Sequence, residues 1–431
     1  MSEQKKMDSL LGGYRVLDLT DEGGLMCGKI LGDLGADVIQ IEPPGGSSAR
    51  NIGPFYHDIP HPEKSLYWFW TALHKRGITL NLETADGREI FKRLVKSADF
   101  VVESFEPGYM ESLGFGYEAL EKINPRVIMT SITPFGQTGP YARYKTTDIV
   151  GVSLGGMSRI YGEADRPVRI SAPQFYFHGG IQGALGSVVA HYYREITGEG
   201  QHVDVSCQQA MVLTLMIAAE MWDILKMSTT GVGPGLGFMG RMIVKLIYPC
   251  KDGYVFTLMG GGAQAGVVTS TEALMEIANR DGYILDLKDF DWTTYDFMSA
   301  AMAKALGQET EGTKLIDRIQ EGLEEFLPTK SKQELFDEAV KKAILLIPVC
   351  DPKDVVESPQ LAAREFWVQV EHPELGDTLT YPGYPIKISA FPPYMPQRRA
   401  PLIGEHNAEV YEKELGLSQQ ELVILRSCGA I

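Results

Sequence analysis

The residues able to carry covalent or acid–base chemistry are scattered along the chain, and their spacing excludes the familiar arrangements. Cys27, Cys207, Cys250, Cys350 and Cys428 show no CxxC spacing, so a thiolate metal site or dithiol redox pair has no support. None sits beside an obvious base, and no GxSxG turn presents a serine nucleophile. His57 and His61 lie four apart, but the prolines of HDIPHP forbid the helical turn that would aim both at one metal. His178 follows three adjacent rings, Phe175, Tyr176 and Phe177, and precedes Gly179 and Gly180. It reads as a general base or, more simply, as a packed ring at a helix start. The first turn, TDEGGLMCG, occupies the place where a dinucleotide fold carries GxGxxG. Gly23, Gly24 and Gly28 give GGxxxG instead, so a nicotinamide cofactor is not expected. No GxxxxGK[ST] phosphate loop occurs. Two glycine runs remain: GVGPGLG, with Gly231, Gly233, Gly235 and Gly237, and GGGAQAG, from Gly260 to Gly266. Each lets backbone approach a ligand closely, or simply connects elements flexibly.

Elements must position these groups, and the first 140 residues alternate strand and helix. Tyr14 to Thr20, Asp37 to Glu42, Gly77 to Glu83, Phe100 to Phe105 and Arg126 to Ile132 are short apolar runs, as expected of strands buried on both faces. Helices are expected at Leu25 to Leu34 and over ADGREIFKRLVKSA, which begins acidic and ends basic as the helix dipole prefers. Repeated βα units predict a parallel, doubly wound sheet. Gly179 to Tyr193 predicts a buried helix whose glycines leave one face small, and Gln208 to Met227 a second helix. From about 228 to 347 the chain is more charged and helical, with a helix expected over Gly312 to Phe326. Beyond Pro348 it turns extended and Pro-rich, then ends in a helix-like stretch from Ala408 to Leu415.

The chain has 431 residues, with 44% hydrophobic and 22% charged. That excludes global disorder and is long for one domain. Forty basic against 56 acidic side chains give a net charge of −16, which argues against nucleic acid as a partner. No apolar run reaches the ~18 residues of a membrane span, and MSEQKKMDSLLGG has no apolar signal region. Unpaired cysteines suit a reducing cytoplasm.

Several segments together resemble the class III CoA-transferases: GYRVLDLT, LGDLGADVIQIEPPGG, KRGITLNLET, INPRVIMTSITPFGQTGP, TGEGQHVDVS and RAPLIGEHNAEVYEKELGL. The resemblance runs over nearly the whole chain. It implies an α/β fold with a Rossmann-like large domain built from both chain ends, 1–227 plus 348–431. It also implies an inserted smaller α+β domain, 228–347, and two subunits interlocked as a dimer. It implies no prosthetic group and no metal, with CoA and acyl-CoA as substrates. In this family an Asp carboxylate attacks the acyl-CoA thioester, and the reaction passes through anhydride and aspartyl-CoA intermediates before the acceptor acid takes CoA. The family's D-x-x-x-G stretch corresponds to SAPQFYFHGG, which puts Tyr176 at the nucleophile position. No Asp occurs from Arg166 through Val203. A phenol with a pKa near 10 is no substitute at neutral pH.

Other family positions are altered. Gly23 stands about where a Gln orients the reacting groups. Glu83 replaces the basic residue of LDLK, and ESFEPG brings Ser104 and Glu106 in place of NF-x-PG. Carboxylates beside a phosphate surface repel it. The racemase branch needs a His near Thr147 and an Asp at Tyr176, and both are missing. The resemblance therefore implies a non-catalytic subunit of a heteromeric enzyme, as in the family's two-subunit members of anaerobic aromatic degradation. It would pair with a paralogue that carries the Asp and lend it the loop Gly231, Gly233, Gly235 and Gly237. Two alternatives stand beside it. One is a silent homodimer that binds acyl-CoA or a carboxylic acid. The other is an active homodimer that uses His178.

Overall fold

Six short strands carry the nucleus of the molecule: β1 (Arg15–Asp18), β2 (Asp37–Glu42), β3 (Arg76–Thr79), β4 (Phe100–Glu103), β5 (Ile128–Thr133) and β6 (Gln201–Ser206). The computed structural model describes residues 9–431 except 164, 216, 239–240, 263–264 and 392–397. The six strands form one parallel sheet in the order β3-β2-β1-β4-β5-β6. Leu17, Ile39, Val101 and Val102 are fully buried, as the apolar runs require of strands covered on both faces. The strand order reverses between β1 and β4, and in doubly wound sheets ligands bind outside the carboxyl ends at that point.

The helix expected from Gly179 begins earlier and runs Phe175–Thr197. Its small face permits very close packing. An added Cβ would lie 2.3 Å from Cys207 Sγ at Gly179, 2.8 Å from Met26 Cβ at Gly180 and 2.7 Å from Ile132 Cδ1 at Gly183. The helix ends at Gly198 in the left-handed conformation, φ +84°. The chain then turns into β6 through Gly200, where a Cβ would sit 2.0 Å from the Val127 carbonyl oxygen. The TGEGQ motif is thus a steric demand of the helix-to-strand turn.

By packing, the chain divides into two compact units. One comprises the chain up to Gly155, Ser171–Thr214 and Ala362–Ile431; the other comprises Gly156–Ile170 and Leu215–Leu361. The second unit holds the antiparallel hairpin β7 (Gly235–Phe238) and β8 (Arg241–Lys245). It also holds the antiparallel sheet of β9 (Ile247–Cys250), β10 (Gly253–Thr257) and β11 (Leu346–Val349). Helices Ala265–Arg280 and Glu311–Phe326 close its core around Val255, Leu274, Ala278 and Phe326. Two local expectations change. The helix read over Gln208 to Met227 is interrupted between Cys207–Val212 and Ala218–Leu225; the Thr214 hydroxyl donates to the Met211 carbonyl there, a bond that competes with helix continuation. The stretch from Ala408 closes as a π-helix, Glu409–Glu414.

The last segment completes the first unit. β12 (Trp367–His372) and β13 (Asp377–Pro382) form a hairpin. Beyond it, the Pro401 carbonyl accepts from Arg50 Nη2 at 2.9 Å and from Trp68 Nε1 at 3.1 Å. Thr79 N donates to Asn407 Oδ1 at 2.9 Å, and Gly77 N to His406 Nδ1 at 3.1 Å. The RAPLIGEHN motif therefore satisfies the buried side chains of Arg50 and Trp68 and backbone groups along β3.

Candidate active site

Tyr176 lies in the first turn of the long helix. Its hydroxyl donates to the Thr146 carbonyl at 3.1 Å. Its neighbours are aromatic: Phe175 meets it edge-on at 5.4 Å, while Phe177 packs against Tyr67 at 6.2 Å and Trp70 at 5.4 Å. Burial, and next the charge of Glu22, push the Tyr176 phenol far above its ordinary range, so it stays neutral. Residues that sequence reasoning missed surround it. Asp148 Oδ1 accepts from the backbone N–H groups of Gln174 and Phe175 at 2.7 and 2.9 Å, capping the long helix from 26 and 27 residues upstream. Its other oxygen is buried with no hydrogen-bond partner. Glu22, from the first turn, is half-buried. Desolvation raises its pKa, and Asp21 and Asp148 raise it further. Capping patterns read within a few residues, so only a through-space neighbour search would have found Asp148.

The residues that the resemblance sets against CoA lie in the same unit. Asp21 Oδ1 accepts from Gly23 N and from Ser104 Oγ, both at 3.1 Å, tying the loop after β1 to the loop after β4. Glu83 accepts from the Tyr109 hydroxyl at 3.4 Å. Glu106 pairs with Lys145 at 3.5 Å, both exposed. Carboxylates therefore crowd the switch point of the sheet.

Behind them, Glu103 at the end of β4 is 97% buried, the complement of its 3% exposure. Desolvation raises its pKa to about 7. Hydrogen bonds from Ser131 and the Phe105 backbone oppose that shift, while Glu111 and Asp204 add to it. Ser131 Oγ also meets His202 Nε2 at 2.9 Å. Because its folded-state pKa exceeds the unfolded one, Glu103 holds a proton in the native state that the unfolded chain has already released. Its contribution to stability therefore falls as pH rises from about 4.5 to about 7 and is flat above. We expect Glu103→Gln to remove that slope. By pH 8 the variant should gain on the order of 2–3 kcal/mol relative to wild type. Urea unfolding of both proteins at pH 5 and pH 8 measures it; an unchanged difference between the two pH values would contradict it.

The glycine run belongs to the second unit and is closely packed. Gly231 N donates to the Arg159 carbonyl at 2.9 Å, and a Cβ there would lie 1.9 Å from the Gly162 oxygen. Gly233 has φ +72°. Gly235 and Gly237 lie in β7, with a register shift between Leu236 and Gly237, so half of the expected loop is strand. Glycine reads as loop because it lacks a side chain, but here that lack admits a bulge and tight strand contact. Of GGGAQAG, residues 263–264 lie outside the described residues. Burial lowers the pKa of His178, which is half-buried. His61 Nδ1 accepts from Glu63 N. Among the described residues no three His, Cys, Asp or Glu side chains converge on a metal position, and no helix is long and apolar enough to cross a membrane.

The model of CoA-transferase family III matches residues 11–407. The chain belongs to CoA-transferase family III. It is 34% identical to succinyl-CoA:(R)-benzylsuccinate CoA-transferase subunit BbsE of Thauera aromatica, over 97% of each chain. It is 32% identical to formyl-CoA:oxalate CoA-transferase of Streptomyces avermitilis, over 99% of this chain and all of the other. A CaiB/BaiF family protein from Brucella suis superimposes with a TM-score of 0.76 at 27% identity, covering 94% of this chain and all of that one. The family III assignment makes CoA thioesters the substrate class, and the α/β architecture with its parallel sheet agrees with that neighbour.

Proposed function

We propose that this chain is the non-catalytic subunit of a heteromeric class III CoA-transferase that moves CoA between an acyl-CoA donor and a carboxylic acid. The observation that carries the reading is Tyr176 in the first turn of the long helix, a neutral phenol bonded to a carbonyl where the family resemblance places a nucleophilic Asp. Neither neighbouring acid replaces it well. Asp148 is engaged by two backbone N–H groups and sealed from solvent, and Glu22 is raised towards its protonated form. A relative's name supports a subunit role, since BbsE is called a subunit of succinyl-CoA:(R)-benzylsuccinate CoA-transferase. That reaction is the model for the substrate here.

The surface supports a partner. Along the long helix, Ile181, Leu185, Val189, Tyr192 and Ile196 are each 45–70% exposed and recur at helical spacing. Such an apolar stripe on a soluble chain marks an interaction face. The partner is a paralogue bearing the Asp. The two chains interlock as in the family dimer, and the glycine run Gly231, Gly233, Gly235 and Gly237, its second half in β7, completes the paralogue's site. CoA sits at that site, because Glu83 and Glu106 disfavour its phosphates here. No nucleic acid, membrane or metal takes part, and the cytoplasm is the setting.

Co-expression tests this. A tagged chain should bring down an untagged paralogue of similar mass, and transfer should require both. Turnover by the single chain that is lost in Glu22→Gln or His178→Ala would replace the reading with an active homodimer. A second outcome, a silent homodimer with micromolar CoA affinity by calorimetry, would make it a binding protein. Within the heteromer, Tyr176→Asp is expected to leave the transfer rate within about twofold. The new carboxylate would stand beside Glu22 and Asp148 among buried rings and stay protonated. A doubled rate would mean that the second site needs only its nucleophile.

A further inference from the structure

A cleft of about 960 Å³ opens in the first unit, and Tyr176, Asp148, Glu22 and Glu103 are not among its lining residues. Ser9, the Leu34–Ala36 turn before β2, His74, and the stretch from Gly383 to Phe391 line it. Its volume falls within the range of pockets that take small organic ligands, ~300–1,000 Å³. Three carboxylates reach it, and each already has a cation. Asp33 pairs with Lys29 at 2.7 Å and meets His74 Nε2 at 3.3 Å. Asp37 pairs with Arg15 and Arg76 at 3.0 and 2.6 Å. Glu365 pairs with Lys387 at 3.4 Å.

Two further cations on the same lining, Arg364 and Arg398, have no such partner. Among the described residues no carboxylate pairs with either. The cleft therefore carries two guanidinium groups free to bind an anion in a planar, two-pronged fashion. Beside them the wall is apolar, with Phe366, Val368, Ile386 and Phe391. Ile386 is 56% exposed, so it offers apolar surface to the cleft. The backbone is strained at the same place. His74 at φ +73° and Glu365 at φ +55° both occupy the left-handed region, which side-chain-bearing residues rarely adopt and which clusters at ligand clamps.

We propose that this cleft binds an organic anion with an apolar body, its carboxylate held by Arg364 and Arg398 and its body lying on Phe366 and Ile386. The site is separate from the one that Tyr176 marks, and the proposal does not depend on the transferase reading.

Calorimetry on the full single chain tests it with 2-phenylsuccinate, succinate and inorganic phosphate as probes. 2-Phenylsuccinate should bind once per chain. Arg364→Ala/Arg398→Ala should weaken it at least about tenfold. Arg364→Lys/Arg398→Lys should give a smaller loss, because charge is kept while the fork is lost. Phe366→Ala should weaken 2-phenylsuccinate more than succinate. Both arginines are exposed, so a far-ultraviolet circular dichroism spectrum should be unchanged. The proposal is overturned if wild type gives no saturable heat, or if the arginine variants bind as well as wild type. It is equally overturned if phosphate and succinate bind as tightly as 2-phenylsuccinate, since the apolar wall then plays no part. None of these titrations involves transfer, so a failed co-purification leaves the outcome readable.

Discussion

Gly235→Val in the reconstituted heteromer is expected to cut CoA transfer about 100-fold while leaving the first unit folded. The physical reason lies in the hairpin. An added Cβ at Gly235 would lie 2.3 Å from the Val244 carbonyl oxygen and 2.7 Å from the Met242 side chain. Backbone cannot yield as a flexible side chain can, so β7 must shift away from β8. A displacement near 1 Å at a group that shapes a reacting site costs rates of about that size. Gly233→Leu should act in the same direction, since φ +72° strains any side-chain-bearing residue there. The measurement is the transfer rate of each heteromer alongside its thermal unfolding. A wild-type rate in both variants would show that this chain does not lend its glycine run to the paralogue.

Lys75→Met is expected to be the most destabilising single change in the first unit. Lys75 and Asp18 are fully buried. The ammonium donates to Asp18 Oδ2 at 2.7 Å, Gln40 Oε1 at 2.9 Å and the Leu25 carbonyl at 3.1 Å. Taking away one partner of a buried pair leaves an uncompensated charge, which costs about 3–5 kcal/mol. Replacing both with apolar groups restores much of the loss, so Asp18→Leu/Lys75→Met should be more stable than Lys75→Met alone. Guanidinium unfolding followed by circular dichroism decides it. A loss below about 1 kcal/mol for the single variant would contradict it.

Five strands of the parallel sheet, β1 to β5, were legible because they are buried nearly throughout, whereas β6 was not, because exposed positions alternate along its first half. Burial forces short, mostly apolar runs, such as FVV in β4 and VIQI around the buried Gln40 in β2, between glycine-bearing turns. The long helix was legible for a related reason, since close packing on β5 and the first helix tolerates only hydrogen at Gly179, Gly180 and Gly183. Those constraints are local, so they leave a local trace. The segment 156–170 left none. It belongs to the second unit through backbone bonds such as Gly231 N to the Arg159 carbonyl and Gly233 N to the Gly162 carbonyl. Backbone bonds ask little of side-chain identity. The glycine run misled in part because a bulged strand and a mobile loop both select glycine.

The same division holds at the candidate site. Family membership, the phenol at Tyr176 and the lack of any Asp from Arg166 through Val203 follow from residue identity and order along the chain, because the motifs that carry them are contiguous. What surrounds Tyr176 was settled in three dimensions. Asp148 reaches the start of the long helix from 27 residues before Phe175, Glu22 arrives from the turn after β1, and Tyr67 and Trp70 come from a third element. Ionisation there depends on burial and on charges brought together by folding, so Glu22 and Glu103 are ordinary carboxylates in the sequence and raised ones only in the fold.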